Sequence, residues 1–422
     1  MRILRVNSWQ GMRGGAEEYV RTVSRAMSAT GHPTHVVSLT NEVPSDPKPD
    51  ETYVRVPVLG ARRAAADLFP RAEIRRELDA AVREFRPDLV HLHHYDAGFM
   101  AIARWISDLS IPVVMTAHDA ELVCPNGSLM RPGYIPCEGG ILPRCQFTGC
   151  RVGWGLPYEL AQRSSFDRQA AGRVRAFLCP SRALTEYVHR HRYRPAIHLA
   201  SFAPIPSSVR ASPTPGPPDG TRPTVGFLGR VEWYKGMEPL LQSIRILRSS
   251  IPDVRLEIAG EGEGLTHAME LSRALGVEGS VIFRGRVTGD AKEKWFRRIH
   301  VLVVPSICFD NLPFVAMEAQ ARGRPVVGFG VGGIPEVVHD GEGGRIVPVA
   351  DPGALASALG EILNSPEARV SMGTRGREWV LREFTPEQHL RRLDAVYEAV
   401  LAGRSLESLV EADAVPFLPN GS

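Results

Sequence analysis

Short apolar runs rich in β-branched residues alternate with longer amphipathic stretches along the first half of the chain. The first run, 3–6, is followed by a glycine-rich turn and a predicted helix over 16–29. The other predicted strands here are 35–39, 88–92, 113–116 and 176–179, and the other predicted helices lie over 71–85 and from Ser181 onwards. Strands and helices that alternate in this way indicate a mostly parallel sheet with helices on both faces.

A segment dense in proline, 206–223, interrupts this alternation, and a second series of strands and helices follows it. Proline fixes φ and lacks a backbone donor, so we expect this segment to continue neither element and to link two domains. The predicted strands beyond it are 224–228, 254–258, 281–283, 301–304, 325–329 and 345–347, and the last predicted helices are 351–363, 366–382 and about 386–402. The pattern therefore predicts two doubly wound α/β domains, 1–205 and 224–385, and a mobile tail over 404–422.

Length and composition agree with two globular domains and narrow the class of protein. The 422 residues exceed one ordinary core, and 43% hydrophobic with 23% charged residues is typical of globular chains. A formal charge of +3 disfavours a dedicated nucleic-acid binder. The chain has no apolar stretch of about 18 residues and no signal-peptide core at its start, so we expect a cytoplasmic protein.

Candidate ligand-binding residues follow predicted strands, because open parallel sheets bind ligands at the carboxyl ends of their strands. Two such sheets in tandem predict a cleft between the domains. In the first domain, Gly14 and Gly15 precede a helix whose free N–H groups could attract an anion, although such a pair is more often only a turn. His118 follows strand 113–116 and could hydrogen-bond a substrate hydroxyl or shuttle a proton, and a structural role is its alternative.

In the second domain, cations follow one predicted strand and carboxylates follow another. Arg230 and Lys235, five residues apart, could clamp a diphosphate, and the alternative is a solvated basic loop. Asp310 lies in the loop after strand 301–304, where it could hold a sugar or ribose hydroxyl or cap the next helix. Glu318 lies within that apolar helix, where an unpaired carboxylate would be costly, so we expect it to have a partner or a ligand.

Taken together in this order, these residues resemble the retaining glycosyltransferases of the glycogen-synthase-like and phosphatidylinositol-mannosyltransferase-like group. The matching segments are Gly14-Gly15-Ala16-Glu17, His91-Leu92-His93, Thr116-Ala117-His118-Asp119, Pro180-Ser181, Phe227-Leu228-Gly229-Arg230, Lys235-Gly236, Ile258-Ala259-Gly260-Glu261-Gly262, Pro305-Ser306, Glu318-Ala319, Gly328 to Gly333 and Pro335-Glu336. The resemblance implies the GT-B fold, in which two Rossmann-like domains face a central cleft. It also implies that the helix over about 386–402 returns to the first domain.

The resemblance further implies a role for each candidate residue. Arg230 and Lys235 would bind the diphosphate of a UDP-, GDP- or ADP-sugar donor and stabilise it as the leaving group without a metal, since the chain has no Asp-x-Asp motif. The other implied contacts are the ribose for Glu318, the base for Arg284, the donor sugar for Asp310, Asn311, Leu312 and His118, and the diphosphate and acceptor for Gly15 with Gly14 beside it. The expected reaction is front-face transfer to an acceptor hydroxyl with retention of configuration, and it needs no cofactor.

The chain departs from the family at Asp310, where glutamate is usual. The missing methylene moves the carboxylate by about 1.5 Å, the length of one C–C bond. This change could reflect a different donor sugar or weaker activity, and it keeps a non-catalytic nucleotide-sugar-binding subunit as an alternative. A nucleotide-sugar epimerase on the same fold is the other alternative, although the arginine, lysine and carboxylate set is of the transferase type.

An insertion over about 120–155 suggests a structural zinc site, and a set of arginines suggests contact with a membrane. Cys124, Cys137, Cys145 and Cys150 could form a structural zinc site, with buried thiols or disulfides as the alternatives because no Cys-x-x-Cys pair is present. Basic residues of the first domain could contact an anionic membrane, giving a peripheral location at the inner membrane, or form a solvated helix face. These residues are Arg62, Arg63, Arg71, Arg75, Arg76, Arg83 and Arg86.

Overall fold

The computed structural model describes residues 1–9, 15–40, 50–55, 72–93, 99–124, 127–131, 135–140, 145, 166, 168–212 and 222–406. The chain divides into two compact units. The first holds most of residues 1–200 together with the chain from Pro386, and the second holds Ser201–Thr385 together with Gly133–Pro136. Several predictions fall outside the described residues, namely those at Gly14, Arg62, Arg63, Arg71, Cys150 and the tail beyond 406.

The described strands before residue 200 lie mostly in one parallel sheet. They are β1 (Ile3–Trp9), β2 (Thr34–Thr40), β3 (Glu51–Arg55), β4 (Leu89–Leu92), β5 (Val113–Thr116), β6 (Met130–Arg131), β7 (Ile135–Pro136), β8 (Val174–Cys179) and β9 (Ala196–His198). β6 and β7 pair with each other, and the rest form the sheet in the order β3-β2-β1-β4-β5-β8-β9. The order reverses between β1 and β4, so the predicted doubly wound arrangement is confirmed for this unit.

Helices follow most of these strands. Those that the structure describes in this part of the chain are α1 (Gly15–Ala29), α2 (Ala72–Phe85), α3 (Phe99–Asp108) and α4 (Arg182–Arg190). Helix α2 buries Ile74 and Leu78, which lie one turn apart on its inner face. Helix α4 begins where the sequence predicts it, because the Ser181 hydroxyl accepts a hydrogen bond from the backbone N–H of Leu184 at 3.1 Å and caps the first turn.

The second unit repeats the arrangement. The described strands of its sheet are β10 (Thr224–Leu228), β11 (Arg255–Ala259), β12 (Val281–Gly285), β13 (Val301–Val304), β14 (Val326–Phe329) and β15 (Gly344–Val347), paired in parallel in the order β12-β11-β10-β13-β14-β15. Its described helices are α5 (Ser207–Ala211), α6 (Met237–Leu247), α7 (Leu265–Ala274), α8 (Gly289–Arg298), α9 (Phe314–Ala321), α10 (Ile334–Val338), α11 (Pro352–Asn364) and α12 (Pro366–Glu383). The second doubly wound sheet is therefore also confirmed.

Helix α5 corrects the expectation that segment 206–223 forms no element. Pro206 stands at its N-cap, where a missing N–H costs nothing, and the next proline in the sequence follows the helix. The guanidinium of Arg377 on α12 donates to the carbonyl oxygens of Val209, Arg210 and Ser212 at 3.0, 3.2 and 2.7 Å. The first part of the segment is therefore anchored to the second unit.

The last described helix, α13 (Pro386–Leu401), belongs to the first unit. Leu393 and Tyr397 on this helix are fully buried. His389 connects it to the rest of the unit, because its Nδ1–H donates to the Ala200 carbonyl at 2.8 Å and its Nε2 accepts from the Tyr19 hydroxyl at 2.7 Å. The first unit is thus built from two separate parts of the sequence.

The arginines of helix α2 are partly paired with carboxylates. Arg75 contacts Asp79 at 3.0 Å and Asp108 at 2.7 Å, and Arg76 lies 3.6 Å from Glu77. Membrane contact through these residues stays a prediction. Among the helices that the structure describes, none combines the length and the apolar character needed to cross a membrane.

Candidate functional site

Two loops meet at the carboxyl edge of the second sheet. β10 and β13 are neighbours, and the strand order reverses between them, so the loops that follow them diverge at a point where doubly wound sheets bind ligands. The first loop carries Lys235 and the second carries Asp310. The backbone N–H of Ile307 donates to the carbonyl of Tyr234 at 3.0 Å, which joins the two loops directly.

Lys235 and Asp310 form an ion pair supported by a hydroxyl. Lys235 Nζ lies 2.6 Å from Asp310 Oδ2, and the Ser306 hydroxyl donates to the same oxygen at 2.8 Å. Lys235 Nζ also donates to Ser306 Oγ at 3.3 Å. Burial disfavours both charges, but their mutual attraction outweighs it, so the pKa of Asp310 is lowered and the pKa of Lys235 is raised. Both side chains are therefore ionised at neutral pH.

Two glycines allow the backbone to close around this pair. Gly236 follows Lys235 with φ 72°, and a Cβ at this position would lie 1.8 Å from the carbonyl oxygen of Pro305. Gly332, in the loop after β14, has φ 59°, and its Cβ would lie 2.2 Å from the carbonyl oxygen of Asp310. The next residue, Gly333, donates its backbone N–H to that oxygen at 2.8 Å. The Asp310 loop is therefore held from both sides by segments that admit only glycine.

Arg230 adds a second cation to the same loop. It is exposed, and its guanidinium carbon lies 5.7 Å from the centre of the Tyr234 ring. Lys235 Nζ lies 6.0 Å from the same ring. Within the described part of the chain Arg230 has no carboxylate partner, so its charge is available to an anion, whereas that of Lys235 is shared with Asp310.

Glu318 has the partner that its apolar surroundings require. Its carboxylate lies 2.7 Å from the ammonium of Lys292 on α8, and only 10% of its side chain is exposed. Sequence reasoning missed Lys292, because no motif marks it and the contact joins residues on two different helices. The ribose contact of Glu318 stays a prediction, as does the sugar contact of Asn311 and Leu312.

Arg284 is engaged with a buried carboxylate. Its guanidinium donates two hydrogen bonds to Glu257, at 3.1 and 2.7 Å, and the Glu257 side chain is 1% exposed. These hydrogen bonds raise the pKa of Arg284, and Arg298 lies 3.6 Å from the same carboxylate. The structure thus shows Arg284 neutralising Glu257, and its implied contact with the base stays a prediction.

His118 lies in a small polar pocket of the first unit. The lining includes His93, Thr116, Asp119 and Glu121. His118 Nε2 is 3.0 Å from His93 Nδ1, and the Asp119 carboxylate accepts the backbone N–H of Glu121 at 2.9 Å. Asp119 therefore caps the short turn after β5, and His93 is the direct partner of His118. The sequence analysis named His93 only as part of a motif that resembles the family.

The structure shows fewer contacts for the remaining predicted site residues of the first unit, which are Gly15 and the cysteines. Gly15 begins α1. Cys124 and Cys145 are buried and Cys137 is partly exposed. Among the residues that the structure describes, no three His, Cys, Asp or Glu side chains are grouped to hold a metal ion. The zinc site also needs Cys150, which lies outside this set, so it stays a prediction.

Two family models match the chain, one for each half. The model described as Glycosyltransferase Family 4 matches residues 13–200, and the model described as Glycosyl transferases group 1 matches residues 222–365. A curated relative, D-inositol 3-phosphate glycosyltransferase of Streptomyces scabiei, is 34% identical over 300 residues, which are 68% of this chain and 62% of that protein. The chain thus spans about three-fifths of the length of this relative.

Solved structures show the same fold. Sucrose-phosphate synthase from Thermosynechococcus elongatus has a TM-score of 0.71 and 19% identity, over 96% of this chain and 100% of that chain. HepE from Anabaena in complex with UDP-glucose has a TM-score of 0.67 and 15% identity, over 94% of this chain and 100% of that chain. The chain therefore belongs to the family 4 glycosyltransferases, whose two doubly wound α/β domains form the GT-B fold.

Proposed function

We propose that this protein is a retaining glycosyltransferase that moves a sugar from a nucleotide diphosphate donor to an acceptor hydroxyl. The observation that carries the proposal is the grouping of Lys235, Asp310 and Arg230 at the point where the order of the second sheet reverses. Arg230 and Lys235 can both donate charge-assisted hydrogen bonds to a diphosphate there. The similarity to HepE, which was solved with UDP-glucose, and to a relative named for glycosyl transfer to inositol 3-phosphate supports a nucleotide-sugar donor and a hydroxyl acceptor.

Lys235 can bind the donor diphosphate while it keeps its ion pair with Asp310. An ammonium has three N–H groups, of which one points to Asp310 and one to Ser306, so one remains for a phosphate oxygen. Arg230 supplies a second, bidentate contact. As the bond between the anomeric carbon and the phosphate oxygen breaks, negative charge grows on the diphosphate, and these two cations stabilise it without a metal ion.

The acceptor hydroxyl then attacks the anomeric carbon on the face that the diphosphate leaves. A new bond forms between the acceptor oxygen and the anomeric carbon, and the hydroxyl proton passes to an oxygen of the departing phosphate. The ionised carboxylate of Asp310 faces the positive charge on the sugar, and Glu318 accepts hydrogen bonds from the ribose. No cofactor takes part in any of these steps.

The first experiment measures thermal stabilisation by UDP, GDP, ADP and their common sugar conjugates without divalent metal. We expect one nucleotide to raise the melting temperature. Arg230→Ala and Lys235→Ala should each weaken its binding about ten- to hundredfold, because a hydrogen bond to a charged group contributes about 1.5–3 kcal/mol. Arg273→Ala, at an exposed position on α7, is the matched control and should bind like the native protein.

The outcomes of this experiment test the donor site, the non-catalytic alternative and the retaining mechanism in turn. If no nucleotide shifts the melting temperature, the donor site is refuted. If one nucleotide binds but its sugar conjugate is neither transferred nor hydrolysed, the protein is the non-catalytic binding subunit. Where sugar is released, the anomeric configuration of the product, read by NMR before mutarotation, must match that of the donor, and inversion would refute the retaining mechanism.

A further inference from the structure

Arg5 is a fully buried arginine of the first unit that donates to two histidines. Its Nη1 lies 3.0 Å from His91 Nδ1 and 3.0 Å from His93 Nε2. The register of the first sheet pairs Arg5 on β1 directly with His91 on β4, so the contact is built into the strand pairing. Among the described residues Arg5 has no ion pair, and burying a cation without a counterion is costly. A costly group that the proposed mechanism does not use calls for an explanation.

The two histidines have only one arrangement of protons compatible with Arg5. A guanidinium only donates, so His91 Nδ1 and His93 Nε2 must both accept, and the two protons of Nη1 serve one ring each. His91 then carries its proton on Nε2, which donates to Thr116 Oγ1 at 2.8 Å. The Tyr397 hydroxyl lies 2.5 Å from the same Nδ1 and, since a hydroxyl can donate, is compatible with this arrangement. Burial, and then the charge of Arg5, hold the pKa of His91 well below its usual value, in agreement with a neutral ring.

The same reasoning extends to His118. Because His93 Nε2 accepts from Arg5, the proton of neutral His93 is on Nδ1. That atom lies 3.0 Å from His118 Nε2, so His118 Nε2 accepts. A neutral His118 then carries its proton on Nδ1.

We propose that Arg5 is a positioning residue that fixes the tautomer of His118 through His93, with the proton of His118 on Nδ1. A proton on His118 Nε2 would face the Nδ1–H of His93, and His93 cannot move its proton to Nε2 while Arg5 donates there. In the proposed transfer, the proton that His118 can donate is therefore the one on Nδ1, and its Nε2 does not take up a proton. This consequence for the substrate rests on the proposed glycosyl transfer, whereas the tautomer itself does not.

The native protein without substrate gives the direct test. Long-range ¹H–¹⁵N spectra of protein labelled with ¹⁵N-histidine distinguish protonated from unprotonated ring nitrogens. We expect the protonated nitrogen to be Nδ1 in His93 and His118 and Nε2 in His91. The signals are assigned by their loss in His91→Gln, His93→Gln and His118→Gln. A His118 protonated on Nε2 in the native protein would overturn the proposal, and this result needs no variant of Arg5.

Variants of Arg5 then test the cause. Arg5→Met removes the donor at similar length, and we expect the signals of His93 and His118 to show a mixture of tautomers. Arg5→Lys restores a donor and should restore the native pattern. Arg377→Met is the matched control, since Arg377 is also buried and donates to backbone carbonyls only, and it should leave the three signals unchanged. Unchanged tautomers in a folded Arg5→Met protein would refute the role of Arg5.

Kinetics separate this proposal from the proposed function. If the protein transfers sugar, Arg5→Met should lower kcat about tenfold, the effect of one misaligned hydrogen bond, while the thermal shift by nucleotide is unchanged. Absence of any nucleotide binding would refute the proposed function and leave the tautomer result standing. Native nucleotide binding together with the opposite tautomer would refute only the role of Arg5.

Discussion

The carboxylate of Asp310 is held by charge and by hydrogen bonding at once. Its Oδ2 accepts hydrogen bonds from the ammonium of Lys235 and the hydroxyl of Ser306. Its backbone carbonyl accepts a hydrogen bond from the N–H of Gly333. The resemblance implies glutamate at this position, and the long side chain of Lys235 reaches the shorter carboxylate that stands here. The charges of this pair are nearly balanced, which leaves Arg230 as the unshared cation among the described residues of this loop.

Asp310→Asn keeps the size of the side chain and removes the charge beside Lys235. We expect the free energy of unfolding of the second unit to fall by about 3 kcal/mol at neutral pH, because a partly buried ammonium loses its counterion. Urea unfolding of both proteins measures the difference. Asp253→Asn, at an exposed position of the same unit, is the control and should change the stability by less than about 0.5 kcal/mol.

The pH dependence of that difference follows from the two shifted groups. The pKa of Asp310 lies below its ordinary value of 3.8, so its contribution is complete above that value and is lost as the pH falls through the lowered pKa. The pKa of Lys235 lies above its ordinary value of 10.5, so its contribution is complete below that value and is lost as the pH rises through the raised pKa. The native protein and Asp310→Asn should therefore converge in stability at both extremes, and equal stability at pH 7 would contradict the ion pair.

At the scale of elements, the turn between Lys235 and α6 places the lysine. Gly236 combines a left-handed φ of 72° with a close approach to Pro305, where a Cβ would lie 1.8 Å from the carbonyl oxygen. Gly276, after α7, has a similar φ of 66° with no atom within 4 Å of the Cβ position. Both glycines have a left-handed backbone, but only Gly236 also lies close to another backbone segment.

Comparison of Gly236→Ala with Gly276→Ala isolates that contact. Gly276→Ala should lower the free energy of unfolding by about 1 kcal/mol, because alanine disfavours a left-handed backbone, and it should leave nucleotide binding unchanged. Gly236→Ala should cost more, because the turn must also move away from Pro305, and it should abolish the thermal shift by nucleotide. Urea unfolding and the thermal shift measure the two effects. Equal behaviour of the two variants would show that the close approach does not position Lys235.

The elements that the sequence predicts well are the buried ones. Strands such as β13 and β14 are apolar along their whole length, because helices cover both faces of a parallel sheet. The prediction missed β3 and β9, which are the two edges of the first sheet. β3 carries charged residues at both ends and β9 is three residues long, so neither gives the continuous apolar pattern of a central strand.

The candidate-site residues that follow the strands could be predicted from the sequence, but the side chains with which they form ion pairs could not. Lys235, Asp310 and Glu318 stand at positions where a parallel sheet binds ligands, so motif and spacing indicate them. The partners Lys292 and Glu257 come from other elements, and only the packing of helices and the register of strands bring them within hydrogen-bonding distance. The same holds for Arg5, whose contact with His91 depends on the pairing of β1 with β4.

At the scale of the whole molecule, the first unit is completed by the end of the chain. Helix α13 follows the entire second unit in sequence, yet it buries Leu393 and Tyr397 in the first unit. Its His389 bonds to Ala200 and to Tyr19, and its Tyr397 bonds to His91. The buried hydrogen-bond network that includes Arg5 and His118 therefore depends on a helix at the far end of the sequence.

Two leucines of α13 test this dependence. Leu393 is fully buried and Leu401 is 39% exposed, so the same truncation to alanine should differ in its effect. Leu393→Ala should destabilise the first unit by about 2–4 kcal/mol through lost burial and a cavity, and Leu401→Ala by less than about 1 kcal/mol. Hydrogen exchange locates the effect: in Leu393→Ala the amides of β1 and β4 should exchange faster, and those of β10 and β13 should exchange as in the native protein. Faster exchange confined to β10 and β13 would mean that α13 stabilises the second unit instead, and the assignment of the helix to the first unit would then be wrong.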